Sequence, residues 1–533
     1  MANIARMNDA SLGYDAIILC TSSALHAAYW QDRLDRMKGL IIKKETIVLA
    51  VDEDWPGGAG NALGTLYAYE NACKLAATQG YDLKSKLNNS EISVALYHTA
   101  GKGTRLAPLP AGENNNKPGV KLAATIPGSN DPISILESVI KQTGCYAKSR
   151  VGRLSVYWGD QVFVPTVEID YTPTNHVDIL CSLGPMISAE EWSAKGMEKY
   201  GLIAKRSDGS SAQIEKVDHK TACELLTTNI EKVGTSLGSF SVSNTILEVL
   251  MEEFSVELSN KVGKFDSDPH LWMPMTLQRD AYIFIMKQKK ASEEESGRHY
   301  DRIKDMVERN NDRLAAYSLF GPVDVGGSVL WWDYGQLKLF QFNNLKFVEN
   351  NAEGDLIRQF FQIKAVSHDE GGLVVENSTG IDSCSIVSGR VKSSTLCNVR
   401  CENIDCENAI LVNVTARRIV APPGSIIYNI TDVSEEGLVV SPEHVLVGMY
   451  SIDSDGNAVQ TPIHSSLNID GGKSWEEVIS FEVDGKVYSN SWSFDQLHLR
   501  NMDADPKSIE TASTRHHDIT AGQVTPTKSP KNN

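Results

Sequence analysis

Positive charge is scarce in this sequence. Lys and Arg number 51 against 68 Asp and Glu, a formal net charge of −17. Nucleic acid and anionic membrane surfaces need clustered positive charge, so neither is expected as a partner. A local basic pocket for a phosphorylated metabolite stays open, if a few cations are concentrated against the field of the whole chain. Long apolar runs are also missing. No stretch approaches the roughly 18 apolar residues of a membrane span. The beginning, "MANIARMNDASLGYD", has no long apolar segment, so no secretory leader is expected. Cysteines are few: nine, scattered and odd in number, which excludes a disulfide framework in a chain this long. Cys397, Cys401 and Cys406 are the densest group, but they lack paired C-x₂-C knuckles. These absences favour a cytoplasmic protein, with an organellar one after transit-peptide removal as the alternative.

What is present is an ordinary globular balance, 41% hydrophobic and 22% charged over 533 residues. The first half alternates strand and helix signals. "YDAIILC" (14–20), "TIVLAV" (46–51), "EISVALYHTA" (91–100) and "RLSVYWGD" (153–160) read as strands. Between them, a helix capped by Thr21 or Ser22 ends at Gly39, and helical composition returns at 61–75 and in "ISILESVIKQTGC". This alternation predicts an α/β fold with a mixed, mostly parallel sheet covered by helices. A charge-rich stretch at about 286–317 reads as a solvated helical insertion. From 371 to 430 the texture changes. Apolar residues recur about every five, at Ile381, Ile386, Val391, Leu396, Cys401 and Cys406. That spacing predicts a parallel β-helix; the competing reading is an antiparallel sheet domain. The expected organisation is therefore 1–345, 346–502 and a disordered polar tail at 503–533.

The segment "HTAGKGTRLAPLPAGENNNKPGVKL" carries the chemistry. Gly101 and Gly103 let backbone N–H groups approach a phosphate chain. Thr104 adds a hydroxyl, Arg105 a planar fork, and Lys117 and Lys121 point charges. The spacing is neither a Walker A loop nor a Rossmann fingerprint.

This segment resembles the G-x-G-T-R-x-x-P…K-P signature of sugar-1-phosphate nucleotidyltransferases, the UDP-glucose pyrophosphorylase-like group with a GT-A (Rossmann-like) fold. The resemblance implies nucleotide contacts at Ala100, Gly101, Lys102, Gly103, Thr104, Lys121 and Gly159. It implies catalytic roles for Arg105, Lys117 and Lys216, with Lys117 and Lys121 both candidates for the family's lysine. "VYWGDQVF" and "LWWDYGQLKLF" match its metal segments, implying Mg²⁺ on Asp160 and Asp333. "KYGLIAKRSDGSSAQIEKV" and "GTSLGSFSVS" match its sugar-pocket segments, implying substrate contacts at Gly201, Glu215, Ser236 and Gly238. Lys216 would then hold the sugar phosphate. A C-terminal β-helix, expected to be left-handed, fits the same family and could pair copies into a homo-oligomer. No histidine falls within 371–430, so that region is read as structural and not as an acyltransferase.

The expected reaction joins a nucleoside triphosphate, UTP favoured, to a sugar 1-phosphate, glucose 1-phosphate favoured. "DAIILCTSSALHAAYWQDRL" and "GGAGNALGTLYAYE" are similar to fucose-1-phosphate guanylyltransferases, which makes GTP with a fucose-type phosphate the alternative. There the Gly57–Gly60 turn either approaches the nucleotide or serves as a strand-to-helix turn. An inactive homologue acting in assembly is the reading from a different class.

Overall fold

Three short apolar runs form adjacent parallel strands: β1 (Ala16–Thr21), β2 (Ile47–Asp52) and β3 (Val94–His98). β1 lies between the other two, Leu19 pairing with Ala50 on one side and Tyr97 on the other. The computed structural model describes residues 2–225, 229–327 and 329–524. Helix α1 (Ala2–Met7) precedes β1, α2 (Ala24–Arg36) links β1 to β2, and α3 (Gly60–Thr78) follows β2. Ser23, one residue beyond the expected caps, accepts the His26 N–H at the start of α2. Its extended backbone directs the hydroxyl at the open amides of the first turn.

Strand Arg153–Trp158 adds to β3 in parallel, after which the direction changes. Strand Ile230–Ser243 pairs antiparallel with Arg153–Trp158, Asn175–Gly184 and Gly201–Arg206. The fold is α/β with a mixed sheet, but "mostly parallel" describes only its N-terminal half. In the later half, Gly201–Arg206 turns directly into its antiparallel neighbour Ser211–Glu215, while Ser318–Asp324 returns to pair in parallel with Asn175–Gly184. The charge-rich insertion forms helix Glu293–Arg309, which buries Tyr300, Ile303 and Met306 and exposes its acids.

A second sheet domain begins at Ala365, later than the expected boundary, because helix Ala352–Phe361 still packs Phe360 and Phe361 into the first core. Its strands stack mostly in parallel: Ile386 pairs with Cys401, and Cys401 with Ala416, a step of 15 residues. Three of the five-residue steps seen in the sequence thus separate stacked partners. Val391, Leu396, Cys401 and Cys406 all point into its core. Asn398, Asn413 and Asn429 break successive strands at the same level with φ of 54°, 51° and 50°. Asparagine tolerates this left-handed geometry, and Asn398 Nδ2 donates to Asn413 Oδ1 at 2.9 Å. Antiparallel pairing occurs at the two ends of the stack.

The Asn-rich stretch after Pro110 straps the two parts together. Asn114 Nδ2 donates to the Ala504 carbonyl (3.0 Å) and Asn115 Nδ2 to that of His498 (2.7 Å). Among the described residues no helix is long and apolar enough to cross a membrane.

The expected disorder of 503–533 is overturned for most of its length; residues 525–533 lie outside the described residues. Helix Pro506–Val524 buries Pro506, Ile509, Ser513, His517, Thr520 and Val524, a stripe at helical spacing. The stripe is largely polar, which is why composition concealed it. Its partners are long-range: His517 Nδ1 meets Thr415 Oγ1 at 3.0 Å, and Arg400 pairs with Asp518 at 2.6 Å. Glu510 reaches Arg33 at 3.2 Å and accepts the Tyr29 hydroxyl at 3.0 Å. Truncation after Asp505 is expected to lower unfolding free energy by about 3 kcal/mol or more, since it strips a partner from buried Arg33 and Lys121. Urea unfolding of the full and truncated chains measures this; equal midpoints would contradict the strap.

Candidate functional site

The glycine loop leaves β3 at His98. Gly101 and Gly103 take φ of 127° and 67°, which lets the backbone turn back at once into the 3₁₀ turn Thr104–Leu106. At Gly103 a Cβ would meet the Lys117 side chain at 2.9 Å, so glycine there lets the lysine stem lie against the loop. Ala100 is exposed at the tip. Lys102 turns outward, its Nζ 3.5 Å from Asp495 and above the Trp475 ring. Arg105 is exposed and makes no ion pair or side-chain hydrogen bond among the described residues.

Three further segments meet beside this loop. Lys117 Nζ lies 2.5 Å from Asp160 Oδ2. Asp160 sits in the tight turn after strand Arg153–Trp158, with Gly159 packed against the His98 carbonyl. Asp333 closes strand Leu330–Asp333, which pairs antiparallel with Gln161–Val164, so Asp333 stands opposite Gln161. Gly335 fits between the carboxylates: a Cβ there would lie 2.8 Å from Asp160 Oδ2 and 3.0 Å from Asp333 Oδ1. The Gly335 N–H donates to Asp333 Oδ1 at 2.7 Å. Burial pushes the Asp333 carboxyl up and the Asp160 charge adds to this, while Gly335 N–H, Lys117 and Arg105 oppose it. Two convergent hard oxygen donors suit a small divalent cation. The Lys117 ammonium now sits against one of them.

Lys121 is not part of this group. It is 4% exposed and bound to Glu113 (3.0 Å) and the Gly119 carbonyl (2.9 Å). Its expected nucleotide contact is corrected: Lys121 belongs to a buried ionic network with Arg33, Glu137 and Glu510. The two lysines are four residues apart, and the 3₁₀ turn Lys117–Gly119 between them sends the second inward at the start of strand Lys121–Thr125.

The expected sugar-pocket residues form a second group. Gly201 faces Glu215 across an antiparallel pair, and a Cβ at 201 would meet Glu215 Oε2 at 2.7 Å. Lys216 takes φ of 55° and pairs with Glu215 Oε1 at 2.8 Å. Ser236 accepts the Gly238 N–H at 3.1 Å, in the irregular stretch between Ser236 and Phe240. A Cβ at Gly238 would lie 2.4 Å from Trp158 Nε1, so this glycine is required by close approach. Two contacts link the groups: Trp158 beside Gly238, and Tyr200 edge-on to Trp331 at 5.5 Å.

Sequence reading missed two members here. Gln213, fully buried, lies two residues before Glu215 on one strand and so on the same face. Asp268 comes from the "DSDP" segment at 266–269. Its carboxyl is pushed up to about 7, by burial first and then by the Glu215 charge. An unfolded aspartate titrates near 3.9, so the native state holds an extra proton between about pH 4 and 7 and loses stability as pH rises across that window. Asp268→Asn is expected to stabilise the fold by roughly 2 kcal/mol at about pH 8 and by little near pH 4. Melting curves across this range check the trend; a pH-independent difference would contradict it.

The Gly57–Gly60 turn serves the fold. Gly60 has φ of 73°, and a Cβ there would lie 2.4 Å from the Phe265 carbonyl oxygen. The Ala62 and Leu63 amides at the start of α3 go to that carbonyl, and the Asn61 amide goes to Asp266 Oδ1. Cys397, Cys401 and Cys406 are buried free thiols. No protein-family model matches the chain, and no curated protein matches it.

Proposed function

We propose that the chain transfers a nucleotidyl group from a nucleoside triphosphate to a sugar 1-phosphate and releases pyrophosphate. One observation carries the reading: Lys117, Asp160 and Asp333 converge from three separate segments around the Gly335 cradle, beside the loop that bears Arg105. A structural ion pair needs two partners; a carboxylate pair flanked by an exposed arginine and a lysine suits a polyanion with its counter-cation.

The nucleophile is an already ionised phosphate oxygen, so no general base is needed. It attacks the α-phosphorus, the bond to the β-phosphate oxygen breaks, and pyrophosphate leaves with the electron pair. The obstacle is electrostatic, since two polyanions must meet in line. Asp160 and Asp333 would hold Mg²⁺, which when bound supplies charge neutralisation and a template across the phosphates. Arg105 meets the departing pyrophosphate. Lys117, released from Asp160, swings on its flexible stem to the same end. Lys216 holds the sugar phosphate, while Glu215 accepts sugar hydroxyls beside Gly201 and Ser236.

The second sheet, with its parallel strands stacked at 15-residue steps, supports a parallel β-helix joined to a GT-A type unit. UTP with glucose 1-phosphate is the favoured pair. A pyrophosphate-release screen of the four nucleoside triphosphates against a panel of sugar 1-phosphates with Mg²⁺ tests this. Release with UTP and glucose 1-phosphate is expected to lead. Release confined to GTP and a fucose-type phosphate would move the substrate reading, and no release with any pair would overturn the reaction.

A further inference from the structure

A different set of donors gathers where β1, β2 and β3 end. Cys20 lies near the end of β1, Glu53 just follows β2, and His98 is the last residue of β3. One ligand atom from each lies within 4.8 Å of the others. Cys20 Sγ stands 3.7 Å from Glu53 Oε2. A tetrahedral zinc, with Zn–S near 2.3 Å and Zn–O near 2.0–2.2 Å, separates two such ligands by about 3.5 Å. The pair therefore already has the required spacing.

The histidine is oriented for the same purpose. Thr65 Oγ1 donates its only proton to the Asn61 carbonyl at 2.7 Å. With that bond in place, the 2.8 Å contact with His98 Nε2 is one the ring donates. The Nε2–H tautomer satisfies both contacts and leaves Nδ1 with its lone pair, the arrangement of a metal-ligating histidine with an outer hydrogen-bond partner. Glu53 forms no ion pair among the described residues and receives only the Ala59 N–H and the Cys20 thiol. The charges acting on Cys20 and His98 are all carboxylates: Glu53, Asp52 and Asp266.

Gly64 supplies an independent observation. It lies inside α3, is buried, and its backbone is outside the left-handed region, so no turn requires glycine. Glycine there costs about 1 kcal/mol relative to alanine. A Cβ at this position would lie 3.0 Å from Glu53 Oε2 and 3.5 Å from His98 Cε1. The helix thus keeps clear the space where the two ligands meet.

We infer that Cys20, Glu53 and His98 form a zinc site with three protein ligands and a fourth position for water, tying together the three strand ends beneath the glycine loop. Binding forms the Zn–S bond and releases the Cys20 thiol proton to solvent. The site is separate from the Asp160–Asp333 pair and does not rest on nucleotidyl transfer.

Cobalt titration of the full chain tests it, because only a thiolate ligand gives sulfur-to-cobalt charge-transfer absorption. The expected band saturates at one ion per chain and is displaced by Zn²⁺. Cys20→Ser should abolish the band while circular dichroism of the metal-free protein is unchanged. Gly64→Ala keeps all three ligands but fills the cradle, and should weaken cobalt binding by about 10-fold or more. Absence of the band in the parent chain overturns the site. So does a band that survives Cys20→Ser, such as one from Cys223, which lies 3.7 Å from His219.

Discussion

Asp160→Asn is expected to lower pyrophosphate release by about 10²–10³-fold or more, with melting temperature and circular dichroism preserved. The amide keeps the side chain's volume but loses the charge that pairs with Lys117 at 2.5 Å and that, with Asp333, would hold a divalent cation. Asp333→Asn should act likewise. Its carboxyl is already pushed up by burial and by the Asp160 charge, so removing the Asp333 charge relieves a repulsion in the fold. The double variant should be little worse than either single one, because the pair acts as a unit. Near-full activity in Asp160→Asn at saturating Mg²⁺ would sink the assignment.

The largest stability effect is expected at Arg33→Met. Arg33 and Glu137 are 4% and 0% exposed in their side chains, joined by bonds of 2.7 and 2.9 Å. Glu137 also completes a capping box with Ser134. Removing the cation leaves a buried carboxylate without compensation, at a cost of about 3–5 kcal/mol. Arg33→Met with Glu137→Leu should recover much of this, since an apolar pair pays no desolvation. Burial pushes the Glu137 carboxyl up, but Arg33 and its hydrogen bonds more than offset this and hold it below 4.5. Its stabilisation is therefore complete above that value and is lost as pH falls through the depressed one. Urea unfolding of both variants checks the prediction; an Arg33→Met midpoint equal to the parent's would contradict it.

Much of the fold was legible because its signals are local. The apolar runs of β1 to β3 and the five-residue recurrence after Ile381 depend only on which side chains share a face. Within the site, Gly101 and Gly103 announced a backbone that must turn sharply and accept left-handed angles. Elsewhere local signals did not suffice. Nothing in the Asn-rich stretch itself shows that Asn114 and Asn115 hold the C-terminal region by their side-chain amides. Asp268, half-buried, is brought by the fold into the field of Glu215, far away in the chain. The final helix looked disordered because its buried stripe includes Ser513, His517 and Thr520, while an anchor such as His517 with Thr415 joins residues a hundred apart in the chain.

The sequence by itself determined an α/β unit ahead of a repetitive second sheet, a glycine loop after the third strand, and acids at two strand ends. Side-chain periodicity and backbone permissiveness are properties of neighbouring residues. Only the tertiary structure decided that Lys117 faces Asp160 while Lys121 is buried in an ionic network, and that Asp160 and Asp333 meet at Gly335. It alone brought Cys20, Glu53 and His98 together. Each of these is a short distance between residues far apart in the chain. Such distances are set by sheet order and strand register, which no local stretch of sequence encodes.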